Sequence, residues 1–87
     1  MKQYMVIETF SWGCKEKVYE RFHAKGRMLP EGLAYLSSWL EKDGKRCFQL
    51  METNDPSLLA VWLEKWKDLV SIEVIELGER PRASEAA

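Results

Sequence analysis

Cysteine, histidine and proline are scarce in this 87-residue chain, which has two, one and three of them. Two cysteines, Cys14 and Cys47, cannot build the disulfide framework on which small secreted domains rely. No secretory signal precedes them, so a soluble cytoplasmic protein with reduced thiols is the expectation. A structural zinc site takes three or four closely spaced Cys, His or carboxylate ligands, and no such grouping occurs. A haem iron would have only His23 as an imidazole ligand. No metal and no cofactor is therefore expected. Long apolar runs are absent too: none approaches the ~20 residues of a membrane-spanning helix, which argues against a membrane partner. Nor is there an excess of either charge, with 13 Lys plus Arg against 14 Asp plus Glu and a net charge of −1. Nucleic-acid binders carry a basic stripe, whereas these cations are interleaved with acids, so DNA and RNA are excluded as expected partners.

What is present is apolar and aromatic. Hydrophobic residues make up 46%, including four Trp, three Tyr and three Phe, which places the chain among folded domains. A chain of this length buries only about 60–65% of its unfolded surface, so one marginal core is expected, completed by a partner subunit.

The order of elements can be read from period and punctuation. Residues 2–10 are rich in β-branched and aromatic side chains and predict a strand, broken at Ser11-Trp12-Gly13. From Cys14 to Lys25 the apolar residues Cys14, Val18 and Phe22 recur every four positions, which predicts an amphipathic helix with Gly26 as its left-handed terminator. Strands are predicted at 33–42 and 46–53, joined at Asp43-Gly44, a dipeptide suited to a tight primed turn with positive φ at both central residues. Asp55-Pro56 reads as an N-cap followed by a first-turn proline. Leu58, Leu59, Trp62, Trp66 and Leu69 then form a helical stripe, and 71–77 predicts the last strand. Residues 1–77 thus form one domain, and 78–87 read as a flexible tail.

Strand-helix-hairpin-helix-strand with short links predicts an α+β, ferredoxin-like β-α-β-β-α-β sandwich with antiparallel sheet order 4-1-3-2 and both helices on one face. Met5, Ile7, Leu36, Leu40, Phe48 and Leu50 are expected beneath the helices. The opposite face would then carry Tyr4, Val6, Tyr35, Trp39 and Met51 with Glu8, Ser37, Cys47 and Gln49. A face so apolar is not left bare by a monomer, so a homodimer pairing sheet to sheet as a dimeric α/β barrel is expected. A shift of one residue would exchange the two faces and leave both apolar.

The run Gly26-Arg27-Met28-Leu29-Pro30-Glu31-Gly32-Leu33, then Ser38-Trp39, then Arg46-Cys47-Phe48-Gln49-Leu50-Met51-Glu52, resembles an uncharacterised bacterial domain-of-unknown-function family, the one numbered 3303. Asp55-Pro56, Trp62, Trp66 and Asp68-Leu69-Val70 extend the likeness over nearly the whole chain apart from the tail. The resemblance implies the dimeric α/β-barrel, ferredoxin-like superfamily and transfers no catalytic residue.

Among side chains that could carry chemistry, Glu8 stands out, because a carboxylate in an apolar strand needs a partner or a raised pKa. It shares its expected face with Tyr35, Ser37, Trp39 and Gln49, enough polarity to orient a small ligand. The plainer alternative puts Glu8 at the strand end, in contact with water or a cation. Glu52 is expected to pair with Arg27. Cys47 and His23 are placed at opposite ends of the domain, which precludes a nucleophilic dyad. Trp62 and Trp66 read as core rather than as a stacking platform, and Trp12 is a loop residue that could gate an opening. The 26–32 loop is longer than its connection requires, with Met28 and Leu29 expected to pack. Two functions follow: a homodimeric binding or structural module for a small apolar or aromatic molecule, or a cofactor-independent monooxygenase- or isomerase-like enzyme acting on an aromatic or quinone-like substrate with Glu8 as base.

Overall fold

The computed structural model describes residues 1–79, so the expected tail from residue 80 onward lies outside the described residues. The chain forms β1 (Lys2–Phe10), α1 (Lys15–Lys25), β2 (Leu33–Leu40), β3 (Arg46–Thr53), α2 (Ser57–Leu63) and β4 (Val70–Leu77). The strands make one sheet of order β2-β3-β1-β4, antiparallel at every pairing. This is the predicted order read from the other edge. Among the described residues no helix is long and apolar enough to cross a membrane.

Local chemistry explains the boundaries. Gly26 ends α1 at φ 67°, and its N–H donates to the Phe22 carbonyl at 2.7 Å. Asp55 caps the second helix: its Oδ1 accepts from the Ser57 N–H at 3.0 Å and the Ser57 hydroxyl at 2.6 Å. After Leu63 the helix tightens into successive i to i+3 turns, which carry Trp66 and Leu69 inward. The β2-β3 hairpin forms, but its turn differs from the predicted primed type. Gly44 alone takes positive φ there, and its N–H bonds the Glu41 carbonyl at 2.7 Å, so a longer loop absorbs the reversal.

The two sheet faces are exchanged relative to the expectation. Tyr4, Val6, Leu33, Met51 and Val70 are buried with Leu59, Trp62, Trp66 and Leu69 under the helices. Met5, Ile7, Phe48 and Leu50 lie on the open face, where they are half-buried. Both faces are apolar, so the period-two pattern had a phase but no preferred side. The Gln49–Glu8 hydrogen bond lets this face go inward without orphaning a polar group.

A bulge changes the second half of β2. Tyr35 pairs with Met51, but Ser37 pairs with Leu50, so Leu36 is an extra residue and the alternation slips by one. Tyr35, Ser38 and Leu40 consequently share the helix-covered face, while Ser37 and Trp39 turn to the open face.

Candidate functional site

The same sheet face is covered unequally by its two helices. Leu59 and Trp62 of α2, with Trp66 and Leu69 after it, are buried. No residue of α1 is buried, although Val18 and Phe22 pack against the core. The space left beneath α1 is a cavity of about 360 Å³. Its floor is sheet: Glu8 and Phe10 of β1, Ser38 and Leu40 of β2, and Cys47 and Gln49 of β3. Its roof is Val18, Tyr19, Phe22 and His23, consecutive faces of one helical stripe, with the two indoles closing the far side. Tyr19, His23 and Leu40 are exposed, so the opening lies between α1 and the β2 edge.

Glu8 is the polar centre of the floor. Only 5% of it is exposed, and Gln49 Nε2 donates a hydrogen bond to its Oε1. Burial pushes its carboxyl pKa up, opposed by the Gln49 bond and by the positive charge of Arg27. Cys47, its neighbour across the β1-β3 pairing, is pushed up to about 11 by burial and by the charge of Glu8. A thiol in that state is no nucleophile at neutral pH. Cys47 and His23, expected at opposite ends of the domain, both line the cavity, without a hydrogen bond between them among the described residues.

Arg27 supplies the opposite charge, and the fold goes to some length to place it. Its guanidinium carbon sits 3.5 Å from the Tyr35 ring centre and 5.0 Å from that of Phe22. Its carbonyl accepts from both indoles, Trp62 Nε1 at 2.9 Å and Trp66 Nε1 at 3.2 Å. Gly26 before it and Met28 after it take φ of 67° and 59°, and Met28 is the only non-glycine at positive φ among the described residues. Such a residue costs on the order of 1 kcal/mol and persists only where its surroundings hold it. Those surroundings include Lys65 Nζ, which donates to the Met28 carbonyl at 3.0 Å.

Of the residues singled out from the sequence, Glu8 and Gln49 meet in the cavity. Tyr35 stands behind the wall, its hydroxyl 2.6 Å from Ser38 Oγ and its ring beneath Arg27. Ser37 and Trp39 do not join them, because the bulge at Leu36 turns both to the open face, where Trp39 is 53% exposed. Glu52 accepts from Gln3 Nε2 at 3.1 Å in place of the expected Arg27, which lies on the other side of the sheet. Trp12 is fully exposed and lines no part of the cavity. Arg27, Ser38 and the α1 stripe were missed as site residues. The overlong loop with glycines at 26 and 32 was the only signal for Arg27. Among the described residues, no group of three or more His, Cys, Asp or Glu is placed to hold a metal ion.

Fold and cavity together define a small α+β domain with a buried carboxyl and, among the described residues, a guanidinium without an ion pair, both facing one cavity. The family described as a domain of unknown function (DUF3303) matches residues 2–79, and the chain belongs to it. No curated protein and no solved structure matches it.

Proposed function

We propose that this protein is a homodimeric small-molecule binding module of the dimeric α/β-barrel, ferredoxin-like kind, which holds a small apolar or aromatic ligand between its sheet and α1. The cavity beneath α1 carries this reading. Its 360 Å³ falls in the range of ligand sites, its walls are mostly aromatic and aliphatic, and a few convergent polar groups fix orientation. An NMR titration with indole, naphthol and menadione tests it. Shifts confined to the amides of Glu8, Phe22 and Gln49 support the proposal, and none with any probe overturns it.

The partner proposed is a second copy. On the open face, Trp39, Phe48 and Ile7 line up across three strands, and Leu50, Met5 and Ile75 form the next row. The polar row Arg46-Thr9-Ser71 flanks them on one side and the mixed row Ala34-Glu52-Gln3-Leu77 on the other, while Glu73 and Ser37 end the two apolar rows. An apolar stripe so bordered suits an isologous sheet-to-sheet contact. Sedimentation at micromolar concentration should give twice the chain mass, and Leu50→Glu should give the monomer. A monomeric wild type would refute the pairing. Two free thiols, Cys14 and Cys47, suit the reducing cytoplasm proposed as its location.

Glu8 favours a second reading, a cofactor-independent isomerase- or monooxygenase-like enzyme. A buried carboxyl whose burial raises its pKa, open to a cavity, is suited to exchanging a proton with a bound substrate. Unchanged turnover of an identified substrate by Glu8→Gln would exclude it.

A further inference from the structure

Arg27 is built into the cavity wall more firmly than packing requires, yet its charge is unspent. Among the described residues its guanidinium makes no hydrogen bond and no ion pair, although it is held between two aromatic rings. A planar guanidinium offers five donors in a fork that matches a carboxylate. The other charged or titratable groups facing the space are Glu8 from β1, Cys47 from β3, and Tyr19 and His23 from α1; α2 and the turn after it contribute only indoles. Among these groups Arg27 carries a positive charge that no ordinary pH removes, and that charge sets the sign of ligand the site favours.

We infer that the ligand is a small aryl carboxylate, with its carboxylate on the Arg27 guanidinium and its ring between Phe22 and the two indoles. This rests on the cavity's being a ligand site and adds the class of ligand. A second carboxylate brought near Glu8 disfavours its ionised form further, so binding takes up a proton. The proton comes from solvent and resides on the Glu8 carboxyl in the complex.

Isothermal titration calorimetry with naphthoate and its neutral counterpart naphthylmethanol tests the assignment. The wild type should bind naphthoate more tightly. Arg27→Met should weaken naphthoate by about tenfold or more, the worth of a charge-assisted pair, while leaving naphthylmethanol nearly unchanged. Retained binding of the alcohol shows that the variant is folded. Arg27→Lys, which keeps the charge but loses the fork, should fall between the two. Repeating the titration in two buffers of different ionisation enthalpy should reveal proton uptake by the wild type and none by Glu8→Gln. Equal affinity for acid and alcohol, or an acid preference that survives Arg27→Met, overturns the carboxylate assignment and leaves the cavity reading standing. Acid preference without proton uptake removes Glu8 from the inference. Binding of neither probe defeats both the inference and the reading beneath it.

Discussion

The α2 half and the α1 half of one sheet face are built from similar residue types and end in opposite states. Under α2 the indoles and leucines fill the space, and both indole N–H groups are satisfied by the Arg27 carbonyl. Under α1 the residues Val18, Tyr19 and Phe22 stand off from Glu8, Cys47 and Gln49 and leave room for a molecule. The packed half supplies stability, and one of its byproducts is a rigid mount for Arg27. The open half gives up packing that its composition would have allowed. Protein interiors ordinarily close to crystal-like density, and the space beneath α1 does not.

The largest contrast should appear on truncation. Trp62→Ala empties a site that is 1% exposed and should cost about 3–5 kcal/mol in urea denaturation. Phe22→Ala should cost no more than about 2 kcal/mol, because part of its ring already faces open space. Equal losses would mean that the α1 half is as tightly packed as the other in solution.

Enlargement sharpens the same difference. Leu59→Phe should destabilise by about 1–3 kcal/mol through overpacking, whereas Val18→Phe grows into the cavity and should change stability by less than about 0.5 kcal/mol. Val18→Phe should also abolish the NMR shifts produced by aromatic probes. A Val18→Phe protein that is destabilised as much as Leu59→Phe would remove the distinction.

Glu8 gives the open half a pH signature. Its folded pKa lies above the model-compound value of 4.5, so between the two values the folded chain holds a proton that the unfolded chain has released. Stability therefore falls as pH rises through that window, and the penalty is complete above the folded value. Glu8→Gln keeps an oxygen for Gln49 Nε2 and removes the penalty. Its stability should match the wild type below about pH 4 and exceed it at neutral pH. A difference that does not vary with pH would show that ionisation is not the cause.

The smallest effect concerns the clamp between the halves. Arg21 of α1 makes a two-pronged pair with Asp68 at 2.8 Å and bonds the Lys65 carbonyl at 2.8 Å. The Arg21 bond holds the Asp68 carboxyl below its usual range, so what it contributes is present above the unfolded pKa and lost as pH falls through the folded one. The pair is exposed, and Asp68→Asn should shift the urea midpoint less than any change above. Its better readout is hydrogen exchange of α1 amides, which should quicken if the clamp restrains the helix.

Element order was legible in the residues because each element is marked locally. Proline after Asp55, glycine at 26 and the four-residue spacing of Val18 and Phe22 act within one or two turns of chain. The sheet order follows from connection lengths and handedness. That Glu8 and Gln49 share a sheet face was legible from the strand period; that they bond each other was not. Ser37 and Trp39 were misplaced by one extra residue at Leu36, which no local pattern marks. Arg27 was assigned to Glu52 because both lie at the same end of the domain, and only the sheet between them keeps them apart.

By itself, then, the sequence determined the elements, their antiparallel order and the shared face of Glu8 and Gln49, since propensity, capping and periodicity operate over a few residues. Only the tertiary structure decided which sheet face went inward, how far α1 stands from it, and that Arg27 looks across the gap toward Glu8. Those outcomes depend on side chains separated by tens of residues sharing one volume, and a balance of packing among them has no local signature.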